Sequence, residues 1–476
     1  MATQEAAIPV LASSLTGGIA SFGHRALSVP SWGLATPLPG RSGGSIRLHL
    51  TGSEFRRLRE HDQGEGTMDD VSNIVARQYT AYCYPEPFND IQEQIDGGVW
   101  YHGDPSLSSA LLWPEGRPRK DLRVLVAGCG TVQAAWFAYT NPECSVTGVD
   151  LSEASLAHER FLQDKHSLQN LRLFQGDLRE VSRIGKEFDL VVSTGVLHHM
   201  RNPIEGLRAL ASVLAARGAM VLMVYGAARR VGVYMLQDVF RRLGLRQQPE
   251  DVALVRQVIE ELPPYHYLHW FCEGVSDLVH DSCIVDTFLH PQDRAYTVPE
   301  LLDFVHRGGL AFQGWLDNFN YYPAGCLLRG SELRDRVEAL PLEQQWAIVE
   351  NLTLLNNRHF FVACHPGRSA SARIDFSGAE WLGYAPVRHP GLTILEEASA
   401  ERHGRAKRGP LEWAVSEAEV VLLRGVDGHR TIEQIIAHPC LGHHSMEARA
   451  AFAQGVFKRL WELGHLFMAK PAAQTR

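Results

Sequence analysis

Residues 123–133 read RVLVAGCGTVQ, and the helical pattern AAWFAY follows at once. A run of β-formers ends in Gly128 and Gly130, with Val132 standing where a third glycine would complete a longer glycine signature. Glycine tolerates positive φ and lets a ligand lie against the backbone. A strand that turns through glycines into a helix is therefore the shape of a nucleotide-like binding turn. Taken alone, a Gly-x-Gly is also compatible with a tight turn and nothing more.

Working outward, β-rich runs at 122–127, 145–149, 171–174, 188–193 and 219–225 alternate with helical patterns at 133–139, 153–165 and 203–216. Strands separated by single helices predict βαβ units. Right-handed crossovers then give an α/β fold with a doubly wound, mostly parallel sheet. Ligands of such sheets bind beyond the carboxyl ends of the strands.

Three further signals fall at those ends. Asp150 closes the second run (SVTGVD), twenty residues after Gly130. A carboxylate there can accept hydrogen bonds from both hydroxyls of a ribose. Its alternative duty is to cap the next helix, for which Ser152 also qualifies. QGDL at 175–178 puts an acid after the third run, suited to an adenine amino group or to a surface turn. FDLVVSTGVLHHM carries Thr194, Gly195, His198 and His199 out of the fourth.

With these motifs in order, residues 122–225 resemble the class I S-adenosylmethionine-dependent methyltransferases. VLVAGCGT is similar to their glycine-rich motif, GVDLS to their ribose-binding motif, QGDL to their adenine-contacting motif and FDLVVSTGVLHHM to their fourth strand. The resemblance implies a seven-stranded Rossmann-like sheet, S-adenosyl-L-methionine as cofactor and methyl transfer as activity. It implies cofactor contacts from Tyr79, Gly128, Cys129, Gly130, Thr131, Gln133, Asp150, Leu151, Asp177, Leu178, Thr194 and Gly195. It gives His198 and His199 a catalytic role as bases, with packing as the alternative. Tyr84, Tyr225, Asn318 and Tyr322 are the candidates for the acceptor side. Two positions depart from the family. Val126 replaces the acid two residues before the first glycine, and Val132 replaces the third glycine.

The rest of the chain is read from composition. Of 476 residues, 45% are hydrophobic and 21% charged, and the formal net charge is −8. That acidity disfavours a nucleic-acid acceptor, whose backbone calls for a basic face. It leaves a small molecule or a protein as acceptor. Residues 1–66 are poor in acids and rich in Gly, Ser and Pro, which predicts a disordered or targeting extension. Residues 67–370 then form the cofactor-binding domain, with a helical insertion at 227–306. Runs at 310–318 and 359–364 add an antiparallel edge to the sheet.

Residues 371–476 form an accessory module. ERHGRAKRGP (401–410) reads as its linker, short β-like runs surround IDFSG and LTILEE, and helices at 432–436 and 446–463 precede the strand-like GHLFMA. Helix, helix and strand make a small α+β, winged-helix-like unit, a candidate for peptide contact or homodimerisation. None of the eight cysteines forms a C-x-x-C pair, so no disulfide framework or metal site is read. Cys440, His443 and His444 are close in HPCLGHH but lack a second ligand group, which predicts a loop. Reduced thiols and no apolar run long enough to span a bilayer predict a cytoplasmic protein. An organelle is the alternative if 1–66 is a transit peptide. The missing acid at Val126 motivates a second function, a non-catalytic S-adenosylmethionine-binding sensor or scaffold acting through the C-terminal module. A nicotinamide oxidoreductase fits worse, because its glycine signature is incomplete.

Overall fold

The computed structural model describes residues 68–273, 275–395, 403–408, 411–438 and 445–471. The reading of 1–66 and the loop with Cys440, His443 and His444 lie outside these residues.

The strands of the main sheet are β1 (Arg123–Ala127), β2 (Ser145–Asp150), β3 (Leu171–Gln175), β4 (Phe188–Thr194), β5 (Leu214–Gly226), β6 (Ala295–Tyr296), β7 (Ala311–Trp315) and β8 (Arg358–Cys364). Their order is β3-β2-β1-β4-β5-β8-β7, with β6 paired to the end of β5. The β1–β5 pairs are parallel, and β8 runs antiparallel to both β5 and β7. Seven strands thus become eight, because two residues returning from the insertion pair with Tyr225 and Gly226. The antiparallel strand is β8, one place in from the edge, and β7 forms that edge.

The central strands β1, β4 and β5 are covered on both faces, which is why they carry apolar runs, whereas the edge strand β3 is largely exposed. Along β1 the side chains alternate between two cores. Leu125 and Ala127 join Leu207, Leu210, Leu301 and Phe304. Val124 and Val126 join Trp136, Phe137 and Leu156 on the other face. The predicted helix at 203–216 ends earlier, at Ala211. Leu214 already pairs with Phe188, so hydrogen bonding to β4 claims the last residues for β5.

The insertion consists of helices Val231–Arg242, Pro249–Glu261, Leu268–Cys272 and Asp281–Phe288. They share a core of Val233, Phe240, Val255, Leu268 and Phe288. The helix Val298–Arg307, inside the predicted range 227–306, instead packs Leu301, Phe304 and Val305 against the sheet.

Beyond the helix Pro366–Ala372 stand β9 (Ala385–Arg388), β10 (Leu392–Leu395), β11 (His403–Arg408), β12 (Leu411–Ser416) and β13 (Leu466–Ala469). Helices Glu417–Gly425, Ile432–Ile436 and Met446–Glu462 pack with them around a core of their own. Residues 403–408 of the stretch read as a linker form β11, because their backbone pairs with β10 on one side and β12 on the other. IDFSG forms no strand: Phe376 is buried, and the Asp375 carbonyl accepts the Tyr384 hydroxyl. No disulfide joins the seven cysteines among the described residues. No helix among them is long and apolar enough to cross a membrane.

Candidate functional site

The glycine turn leaves β1 with Gly128 at φ 77° and Gly130 at φ 58°. A Cβ on Gly128 would lie 2.2 Å from a Val196 methyl, so the turn abuts the exit of β4. Asp150, at the end of β2, accepts the Gly130 N–H at 2.9 Å and the Ser152 N–H at 2.8 Å. Burial pushes its carboxyl above the usual range while these N–H groups pull it down. Ser152 itself caps the helix Glu153–Lys165, leaving Asp150 free of that duty. The Thr194 hydroxyl donates to Gln133 Oε1 at 3.1 Å, and Gly195 follows at φ 81°. Gly128, Gly130, Gln133, Asp150, Thr194 and Gly195 therefore converge on the ends of β1, β2 and β4.

The helix Gln133–Thr140 has no side-chain cap of its own. Glu159, fully buried on the neighbouring helix, accepts the Ala134 N–H at 2.9 Å and the Ala135 N–H at 2.7 Å. Burial pushes its carboxyl up to about 8. A phosphate-binding fold keeps these helix-terminal N–H groups for the ligand. Here the Glu159 carboxyl group fills them, which disfavours a pyrophosphate-bearing dinucleotide and suits a ligand without phosphate. Glu159 was not read from the sequence, where AHERF shows only one more helical acid.

Several expected contacts differ in kind. Cys129 is buried, with its sulfur 3.3 Å from where a Gly148 Cβ would stand, so only its backbone faces the turn. Thr131 is buried and donates to the Pro85 carbonyl at 2.8 Å. It anchors the 78–88 segment rather than offering a hydroxyl to a ligand. Asp177 accepts the Arg179 N–H at 2.8 Å and pairs with its guanidinium at 2.6 Å, so it caps the turn Leu178–Arg183. Leu178 is buried, and the Leu151 carbonyl accepts from the Gln175 amide.

The 78–88 segment closes over these loops. Ser152 Oγ donates to the Tyr79 carbonyl, and a Cβ on Gly130 would lie 3.1 Å from the Tyr84 carbonyl oxygen. Tyr82 reaches the insertion through the Gln247 carbonyl. The Tyr79 hydroxyl donates to Asp286 Oδ1 at 2.7 Å, and the Tyr225 hydroxyl donates to Asp286 Oδ2 at 2.7 Å. His199 stacks on His290 with ring centroids 3.8 Å apart. Arg230 covers the Tyr225 ring at 3.6 Å and pairs with buried Asp293 at 2.8 Å. Asp286, His290 and Arg230 all come from the insertion. They escaped the sequence reading because nothing local ties them to the β4 exit.

Two corrections follow. His198 is fully buried between Tyr225 at 3.8 Å and His199 at 4.2 Å. Burial, His199 and Arg230 push its basicity well down, so it packs rather than serving as a base. Asn318 donates to the Trp461 carbonyl, and Tyr322 packs against Trp346 and Trp461. Both are committed to the contact with the helix Met446–Glu462, and the structure does not bring them to the cluster around Asp286.

Comparison with known proteins supplies a family. Residues 125–220 match the methyltransferase domain family. An uncharacterized protein of Synechococcus sp. is 31% identical over 340 residues, covering 68% of this chain and 78% of that protein. A tRNA U34 carboxymethyltransferase of Saccharophagus degradans is 30% identical over 155 residues, 32% of this chain and 46% of that enzyme. Among solved structures, PKMT2 from Rickettsia typhi in complex with AdoHcy superposes with a TM-score of 0.56. It is 14% identical, over 78% of this chain and 76% of that one.

Proposed function

The chain belongs to the class I S-adenosylmethionine-dependent methyltransferases, and we propose that it methylates a small molecule or a protein side chain presented at the exit of β4. The observation that carries this reading is Asp150. It stands at the end of β2, bonded to the glycine turn and relieved of capping by Ser152, where it meets a ribose. S-adenosylmethionine supplies a methyl group on a sulfonium. The residues present fit it: Asp150 is held at the strand end by backbone N–H groups, and Glu159 fills the terminus a phosphate would need.

In this reading Asp150 orients the ribose, and the backbone of Gly128–Gly130 and Gly195 lines the cofactor. Thr194 and Gln133 fix each other at the strand end. Tyr79, Tyr84 and Tyr225 wall the acceptor side, and the 78–88 segment with the insertion excludes water. Placement of the acceptor in line with the methyl group is then the main source of acceleration. The reading also divides the chain at about residue 370, the segment after it being an accessory module that contacts a peptide or a second copy.

The tRNA-acting relatives are matched over less than half their length, so their acceptor is not carried over. The net charge of −8 also lacks the basic excess an RNA backbone favours. Calorimetric titration with S-adenosylmethionine and S-adenosylhomocysteine, with NAD as control, tests the reading. Micromolar binding of the first two is expected. Asp150→Ala should weaken it by about 2–3 kcal/mol, the worth of charge-assisted hydrogen bonds. Unchanged affinity in that variant would refute the ribose assignment.

A further inference from the structure

His199, Asp286 and His290 each offer one ligand atom, and these atoms lie within 4.8 Å of one another. All three residues are buried. His199 Nδ1 lies 2.9 Å from the Gln292 carbonyl oxygen. A carbonyl only accepts, so Nδ1 carries a proton and neutral His199 keeps its lone pair on Nε2. That nitrogen faces Asp286 Oδ1 at 3.8 Å, beyond hydrogen-bond distance. Both carboxylate oxygens are steadied by tyrosine hydroxyls. His290 Nε2 is buried and has no hydrogen-bond partner. Two electron-pair donors thus face each other beyond hydrogen-bond distance, beside His290 Nε2, which carries the ring proton while Nδ1 accepts the Gln292 N–H. Such a group of buried polar atoms is resolved by a cation.

We propose that His199, Asp286 and His290 form a binding site for one divalent transition-metal ion, of the zinc or iron(II) class. Two imidazoles and a carboxylate are the donor set these ions take, whereas calcium and magnesium prefer oxygen throughout. The surroundings are those of metal ligands: a ring N–H held by a backbone carbonyl, and a carboxylate held by hydroxyls. The ion joins the insertion to the β4 exit, beside the acceptor side of the cleft. Seating it requires the His290 ring to turn out of its stack with His199 and to give up the Gln292 N–H that its Nδ1 now accepts. Only one hydrogen bond is exchanged for metal coordination.

The test is metal content of the full chain purified without chelator, followed by stripping and titration with Zn2+, or Fe2+ under anaerobic conditions. About one ion per chain is expected, with a metal-dependent rise in Tm. His290→Ala and Asp286→Asn should each weaken uptake by roughly 100-fold, with circular dichroism showing that the fold is kept. Should Asp286→Asn fail to fold, His290→Gln takes its place. Cobalt(II) loaded in place of the ion should show visible d–d bands without a thiolate charge-transfer band. Absence of uptake, uptake unchanged in the folded variants, or a thiolate band reporting a cysteine site each overturn the proposal. These readouts need no cofactor, so failure here is separable from failure of the S-adenosylmethionine titration.

Discussion

Single residues decide what the cleft accepts. Asp150 was legible because its partner Gly130 sits a fixed twenty positions away along one βαβ unit. Glu159 was not, because its partners Ala134 and Ala135 are chosen by how two helices cross. Its capping role makes a prediction. Glu159→Ala leaves two buried N–H groups without acceptors and should cost about 2–3 kcal/mol of stability in chemical denaturation. Glu159→Gln keeps one acceptor oxygen and should cost less. Equal losses in the two variants would mean that the single amide oxygen gives no support, and an unchanged stability of Glu159→Ala would refute the capping role. The same comparison bears on ligand choice, since removing the carboxylate frees helix-terminal donors for an anion.

At the scale of elements, most strands legible in the sequence are buried on both faces, and the one misread as a linker depends on its partners. β1, β4 and β5 carry apolar runs, whereas β11, HGRAKR, is polar and becomes a strand only because β10 and β12 flank it. Where these elements meet the main sheet, three histidines are held neutral. His102 lies against Phe360 and Trp100, His389 against Trp100 and Phe467, and His465 against Trp413. Burial pushes His102 and His389 each down to about 4 and lowers His465 as well, with the Arg408 guanidinium adding to all three shifts. Asp317, paired with Arg408, opposes the shift at His102 and His389. Unfolded, these rings take a proton near pH 6.5; folded, His102 and His389 refuse it until about pH 4, and His465 is lowered further. Stability should be level above pH 6.5 and decline as pH falls toward 4, by roughly 1–2 kcal/mol per histidine at pH 5. Thermal unfolding at pH 7 and pH 5 checks this, and His389→Asn should flatten the difference.

For the whole molecule, the C-terminal residues are a second core pressed onto the first. Trp461 packs against both cores, Arg408 pairs with Asp317, and the Lys470 N–H donates to the Pro114 carbonyl. The consequence is one cooperative unit. Trp461→Ala should lower stability by about 2 kcal/mol, loosening both sides of the contact together. Hydrogen exchange would show protection falling in Tyr322 and in Leu460 alike. Loss confined to one side would indicate two independent units.

The sequence by itself determined the parallel sheet, its glycine turn and the family, because each of those rests on contacts within one βαβ unit and on a period the chain displays locally. Tertiary structure alone decided that Asn318 and Tyr322 face the C-terminal helix, that His198 is sealed, that Glu159 fills the helix terminus and that Asp286 and His290 meet His199. Those outcomes depend on how separate helices pack across the sheet. Packing is set by the shape of the buried faces, and no spacing along the chain encodes it.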